Sequence, residues 1–355
     1  MSRYMSRRFE SLEEYVPGEQ PQDKKYIKLN TNESPFPPSP EVIKAINTGE
    51  VEDLRLYSDP EAKLLKEAIA EAEGTNPENI FVSNGSDETL NFFFMAFCDG
   101  EKKVAFPDIT YGFYKVFAEL YGLDYEEIPL NEDFTVSCED YKNIGKNIVI
   151  ANPNAPTGLA MSLDKTEEII SSNPDYIVVI DEAYVDFGGT SASKLTQKYD
   201  NLLVVKTFSK SRSLAGARLG YAIADSRIIA DLEKIKFSTN PYNVNRLTLK
   251  AGEASIKDAG YFEKTRSEII KNRGYITDEL KKCGFTVLDS KANFVFAKSD
   301  RISGADYYRY LRENGILVRH FNSEKICDYN RISIGTAADM EKLAEVTKKL
   351  LEVQK

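Results

Sequence analysis

The sequence predicts an α/β fold: a large domain whose mostly parallel sheet is covered by helices, plus a smaller α+β domain. Three observations predict it. Over residues 63–224, short apolar runs alternate with amphipathic helical stretches, the pattern of strands each returned by a helix. After Asp225 the texture changes to long charged helical stretches followed by shorter strands. A length of 355 residues also suits one large domain with a smaller companion.

In chain order, the N-terminal arm carries Pro17, Pro21, Pro35, Pro37, Pro38 and Pro40, which rules out one continuous helix and predicts an extended segment lying across the domains. Strands are expected over 80–83, 103–106, 147–151, 176–180, 202–206 and 219–223. Polar, chemically distinctive tails follow the first five: 84–88, 107–111, 152–158, 181–184 and 207–210. Open α/β sheets bind ligands beyond the carboxyl ends of their strands, so these five tails are expected to converge on one crevice. Beyond them come helices over 227–237 and 258–282, strands over 293–297, 316–318 and 331–334, and a closing helix over 337–352. The division this gives is an arm with part of the small domain (1–45), a large domain (46–250) and a small C-terminal domain (251–355).

Composition narrows the chemistry. A 42% hydrophobic fraction beside 29% charged residues is that of a soluble globular protein. No apolar run approaches the roughly 20 residues of a membrane helix, and residues 1–10 lack the apolar centre of a signal peptide, so a cytoplasmic location is expected. A net charge of −10 without a basic, aromatic-studded patch argues against nucleic acid. Cys98, Cys138, Cys283 and Cys327 are too scattered for a zinc site or a disulfide framework and read as reduced packing residues. The single histidine, His320, leaves little room for Ser-His-Asp or His-metal arrangements, and no metal is expected. Chemistry must therefore come from lysine, tyrosine, carboxylates or a cofactor.

Lys210 is the strongest candidate. It closes the run Val204-Val205-Lys206-Thr207-Phe208-Ser209-Lys210, with Arg218 eight positions on. A lysine behind an apolar strand and trailed by an arginine suits an enzyme that holds an aldehyde cofactor covalently and clamps its phosphate. Taken alone, such a lysine is an ordinary solvated side chain, and its surroundings decide. Ser86 and Asp87, after the glycine turn Asn84-Gly85, open a helix whose free N–H groups can bind an anion, or they simply cap it. Asp181 follows an all-apolar strand, where a carboxylate suits a protonated pyridine nitrogen or a helix cap. Tyr184 is placed for a ring oxygen and Tyr111 for stacking, against the alternative of ordinary packing tyrosines. The loop Asn152-Pro153-Asn154-Ala155-Pro156-Thr157-Gly158 is stiffened so that an amide can face the crevice, or is a plain connection. Arg218, between small residues, can fork onto phosphate. Arg319 and Arg331 end or open strands in the second domain, as anion partners or as exposed strand-end charges.

Together these pieces resemble the fold type I pyridoxal-phosphate aminotransferases of class I/II over nearly the whole chain. Tyr15-Val16-Pro17-Gly18, Leu29-Asn30-Thr31-Asn32-Glu33-Ser34-Pro35, Tyr57-Ser58-Asp59-Pro60 and Arg331-Ile332-Ser333-Ile334-Gly335 resemble, more narrowly, the histidinol-phosphate aminotransferases. The resemblance implies that Lys210 holds pyridoxal 5'-phosphate covalently and shuttles a proton. It implies Asp181 on the pyridine nitrogen, Tyr184 on the ring oxygen and Tyr111 stacked on the ring. Ser86, Asp87, Thr207, Ser209 and Arg218 would hold the phosphate, with Tyr57 supplied by the other subunit of a homodimer. Tyr15, Arg319 and Arg331 would take the substrate phosphate, and Asn32 would line the substrate side. The family's loop commonly reads Asn-Pro-Asn-Asn-Pro-Thr-Gly. Here Ala155 stands before Pro156, so Asn154 is expected to take over the bond to the ring oxygen, with Tyr184 alone as the alternative. The implied reaction converts L-histidinol phosphate and 2-oxoglutarate into imidazole acetol phosphate and L-glutamate, in histidine biosynthesis. An aromatic or broad-specificity aminotransferase and a threonine-phosphate decarboxylase share every cofactor residue and stay open at this point.

Overall fold

Each of the six strands expected over 63–224 forms, and with one more they make a seven-stranded sheet. The computed structural model describes residues 5, 12, 13, 15–46 and 51–353, so most of the charged stretch 1–10 lies outside the described residues. After a short strand in the arm, β1 (Ile27–Lys28), the sheet is built from β2 (Ile80–Ser83), β3 (Val104–Pro107), β4 (Tyr125–Ile128), β5 (Asn147–Ala151), β6 (Val178–Asp181), β7 (Leu202–Thr207) and β8 (Gly220–Ala224). They lie side by side in the order 2-8-7-6-5-3-4. The additional strand, β4, reads Tyr-Glu-Glu-Ile; it is the sheet's edge, and its two exposed glutamates hide the apolar signal while guarding that edge.

β2, β3, β5, β6 and β8 are buried at every position, as expected for strands covered on both faces. Alternation divides their side chains between two cores. Ile148, Ile150, Val178, Ile180, Leu202 and Val204 enter one apolar cluster, whereas Val149, Val179, Leu203 and Val205 enter the other. β8 alone runs against its neighbours, which puts Gly220 opposite both Ser83 and Thr207. The start of β8 therefore lies among the carboxyl ends of β2 and β7, and Arg218 arrives at the crevice from the opposite chain direction.

The second sheet is antiparallel, ordered β12 (Arg319–His320), β13 (Tyr329–Ser333), β10 (Phe294–Ser299) and β9 (Phe285–Val287). Helices Ala259–Lys282 and Ala337–Val353 cover it, with Ile269, Ile276, Met340 and Leu343 in one cluster with Phe294 and Val295. The single strand expected over 316–318 is instead two short ones, because β11 (Ile316–Leu317) pairs in parallel with β1 and β12 turns to β13. Helices Arg246–Lys257 and Gly304–Glu313 and strand β9 are further additions. The arm is extended through β1 and Leu29, which joins the second core, and Pro40 then opens a six-residue helix capped by Ser39. Among the described residues, no helix is long and apolar enough to cross a membrane. All four cysteines are free.

Candidate active site

The five strand tails do converge. They wall a cavity of about 310 Å³ lined by Ser86, Asp87, Tyr111, Asp181, Tyr184, Thr207, Ser209, Lys210 and Arg218. A second cavity of about 430 Å³ adjoins it, lined by Tyr15, Asn32, Arg319 and Arg331 among others. Lys210, Tyr111, Tyr184, Thr31 and Ala155 line both. The candidate covalent lysine thus stands at the boundary between an inner and an outer chamber. Its Nζ donates to the Thr31 carbonyl of the arm at 3.2 Å and lies 5.7 Å from the Tyr184 ring centre.

The inner chamber has one end suited to an anion. Gly85 (φ 79°) turns β2 into helix Ser86–Phe97, and the first N–H groups of that helix have no intrahelical acceptor. Gly220 permits the approach, since a Cβ there would lie 2.5 Å from the Ser86 nitrogen. The hydroxyls of Ser86 and Ser209 make no hydrogen bond within the described residues, while that of Thr207 accepts from Ser209 N–H at 3.1 Å. Arg218, itself at φ 55°, reaches Asp87 at 3.0 Å. The Asp87 carboxylate also accepts from the Tyr111 hydroxyl at 2.8 Å. With its carboxylate engaged, what Asp87 offers a phosphate is its backbone N–H.

At the other end Asp181 is 5% exposed. Its Oδ2 accepts from the Tyr114 hydroxyl at 2.7 Å and its Oδ1 from Ala183 N–H at 3.1 Å. Burial pushes its pKa up to about 6, against the pull of those two hydrogen bonds. A carboxylate in this condition gains from a protonated ring nitrogen. Tyr184 accepts at its hydroxyl oxygen from Asn32 Nδ2 at 3.0 Å, leaving its own proton to donate. Asn32 is fixed in turn by Ser333 and Asn293. Burial also holds the Tyr111 hydroxyl well above its ordinary range, so it stays a neutral donor.

In the outer chamber, the register of the second sheet places Arg319 directly opposite Arg331. The twelve-residue spacing in sequence does not announce this. Like charges facing each other across strands repel, and among the described residues neither has a carboxylate within 4.0 Å. They bond only to carbonyls: Arg319 to Val16 and Pro17, Arg331 to Asn30. Arg331 lies between Phe294 and Phe321, its Nε is buried without a partner, and desolvation lowers its pKa. Tyr15 stacks on Phe113 beside them, its pKa raised by burial against the pull of both arginines. Two cations held apart from carboxylates, next to a phenol, have the chemistry that suits an anionic group.

Two of the expected residues line neither chamber of their own chain. Asn154 does not line either chamber; its amide donates to the Ile109 carbonyl and the Thr157 hydroxyl and accepts from Thr110, tying two loops together. From the same loop, Ala155 lines both chambers. Tyr57 is 80% exposed, stacks on Tyr242 at 4.4 Å and lines neither chamber of its own chain. Tyr114, by contrast, joins the site unannounced: it sits one helical turn beyond Tyr111, but nothing in an aromatic-rich amphipathic helix marks its hydroxyl for Asp181.

The comparisons with known proteins agree with this geometry. The sequence profile "Aminotransferase class I and II" matches residues 24–346. The chain belongs to the class I and II aminotransferases. Within that family, it is 52% identical over 99% of its length and 100% of the relative's to the histidinol-phosphate aminotransferase of Brachyspira hyodysenteriae. It is 47% identical, over 99% and 100% of the two chains, to that of Clostridium acetobutylicum. The crystal structure of the Sinorhizobium meliloti histidinol-phosphate aminotransferase in complex with pyridoxal-5'-phosphate superposes with a TM-score of 0.87 over 99% of each chain, at 24% identity. The large mixed sheet flanked by helices in this aminotransferase is thus the fold type I α/β architecture.

Proposed function

We propose that this chain is a pyridoxal 5'-phosphate-dependent aminotransferase that moves the amino group of L-histidinol phosphate to 2-oxoglutarate, a step of histidine biosynthesis. The observation that carries the substrate reading is the Arg319–Arg331 pair, without carboxylate partners among the described residues, in the same chamber as Lys210. Full-length identity to relatives of that name supports it.

The inner chamber fits the cofactor by the chemistry of its donors. Lys210 offers an amine for its aldehyde, Asp181 a carboxylate for its ring nitrogen and Tyr184 a hydroxyl for its ring oxygen. Ser86, Asp87 N–H, Ser209, Thr207 and Arg218 suit its phosphate. When bound, pyridoxal phosphate supplies the electron sink that weakens the bonds at a substrate's Cα. Lys210, at the boundary of the chambers, takes the Cα proton and returns it on the other side of the reaction. Tyr15, Arg319 and Arg331 grip the substrate's phosphate, and Asn32 holds Tyr184 in place. The second substrate's carboxylates use the same two arginines in turn. The exposed side chains of Leu54, Leu56, Tyr57 and Tyr242 support a homodimer in which Tyr57 reaches the other subunit's phosphate site.

The test is to load the protein with pyridoxal phosphate and follow its absorbance against L-histidinol phosphate, phenylalanine, aspartate and threonine phosphate. Histidinol phosphate is expected to act at the lowest concentration, and Arg331→Gln to raise its KM by about tenfold or more, the loss of a charge-assisted hydrogen bond. Preference for aspartate or phenylalanine, or CO2 release from threonine phosphate, would overturn the substrate assignment.

A further inference from the structure

Asp181 is held from two directions, and only one of them is a side chain. Ala183 N–H comes from its own loop; Tyr114 comes from helix Phe113–Tyr121, across the chamber wall. The other charged groups that face Asp181 are Asp87, from the start of helix Ser86–Phe97, which repels its charge, and Lys210, which attracts it. None of these lies within ion-pair distance, and burial opposes ionisation. Among the described residues, Tyr114 is the one side chain that hydrogen-bonds the carboxylate.

Tyr114 is also built to do nothing else. It is fully buried, packs edge-on to Tyr111 at 5.7 Å and 83°, and rests against Phe106 at 5.9 Å. Its hydroxyl has one acceptor, Asp181 Oδ2. Burial and the neighbouring carboxylate keep its proton on far above the ordinary range, so it is a donor at any working pH. The same ring therefore touches the two side chains expected at the face and the nitrogen of a pyridine.

We propose that Tyr114 is a positioning residue: its single hydrogen bond aims the Asp181 carboxylate and keeps it ionised, so that a cofactor's ring nitrogen stays protonated. This rests on the cofactor reading above. Tyr114 touches neither cofactor nor substrate and acts only through Asp181. Without its hydroxyl, Oδ2 loses its donor, the carboxylate becomes more basic, and the proton shared with the ring nitrogen moves towards Asp181. The electron sink weakens although every contacting residue is present.

The experiment compares equilibrium binding of pyridoxal phosphate and of its 1-deaza analogue, in which C–H replaces the ring nitrogen, by ultrafiltration. The proteins are the parent, Tyr114→Phe, Asp181→Asn and the double variant. Phenylalanine fills the same space, so the fold is retained. Tyr114→Phe is expected to weaken pyridoxal phosphate about tenfold, the worth of a hydrogen bond to a charged group, to leave the deaza analogue unchanged, and to have no further effect in Asp181→Asn. With 15N-labelled cofactor, the ring-nitrogen resonance is expected to move towards the deprotonated position in Tyr114→Phe. Equal losses for both cofactors, or no loss for either, would overturn the role of Tyr114 alone. A parent protein that takes up neither cofactor would overturn the functional reading and this proposal with it.

Discussion

Gly85 and Arg218 leave no room between them: a Cβ on Gly85 would lie 2.7 Å from Arg218 Nη2. The backbone there, φ 79° and ψ 162°, is in a region that is essentially glycine's alone. Arg218 is itself in the left-handed region, at φ 55°. Both conformations bring a guanidinium over the start of helix Ser86–Phe97.

Gly85→Ala is therefore expected to cost on the order of 1–3 kcal/mol of stability and to push Arg218 away from Asp87, weakening cofactor uptake as well. Urea unfolding of the cofactor-free protein measures the first effect and equilibrium binding the second. Gly216→Ala is the control, because a Cβ there meets nothing within 4 Å. If the two variants behave alike, the close approach has no energetic meaning.

Asp181 makes a pH-dependent prediction. Its pKa rises from an ordinary 3.8 to about 6 in the folded protein, chiefly through burial, so the folded state holds this proton more tightly than the unfolded chain. The contribution is fully present below about pH 4 and is lost as pH rises through about 6. At about 1.4 kcal/mol per unit, the loss is roughly 3 kcal/mol. Cofactor-free protein should lose stability between pH 4 and 7, and Asp181→Asn should lose less over the same interval. Identical pH profiles from urea melts would remove Asp181 as the source.

How much of this was legible follows from where each signal lives. The tails after β2, β3, β5, β6 and β7 could be read because apolar runs end abruptly in polar residues, and strand direction then brings them together. Lys210 and Asp181 sit on those tails, and Arg218 just before β8. β6 ends at Asp181, whereas the expected strand stops one residue earlier. The facing of Arg319 and Arg331 was not legible, because register belongs to β12 and β13 as a pair. The loop-tying contacts of Asn154 and the place of Tyr114 beside Asp181 were not legible for a related reason. Whether an amide or a hydroxyl meets a cavity or a neighbouring loop depends on contacts 44 and 67 residues away in sequence.

Asn154 gives a direct check on that placement. Both ends of its amide are bonded within the protein and its side chain is 2% exposed. Asn154→Ala should destabilise by about 1–3 kcal/mol, the cost of leaving buried partners unsatisfied. Absorbance of bound pyridoxal phosphate should stay as in the parent. A shifted spectrum with unchanged stability would instead return Asn154 to the cofactor.

Beneath the crevice, Lys206 lies 2.9 Å from Glu73 and 3.7 Å from Glu182, all three largely buried. Burial pushes Glu182 up to about 7 despite Lys206 and its bonds from Ser191 and Ala192. Burial pushes Glu73 the same way, but the nearby ammonium and the Tyr221 hydroxyl outweigh it and leave its pKa lowered. Lys206→Met leaves two buried carboxylates without their cation. At pH 8 the loss should be on the order of 3–5 kcal/mol. At pH 5 it should shrink, because Glu182 then takes up a proton and needs no cation. Urea melts at the two pH values separate the possibilities. A loss that is the same at both would mean that Lys206 stabilises through the packing of its methylene stem rather than through its charge.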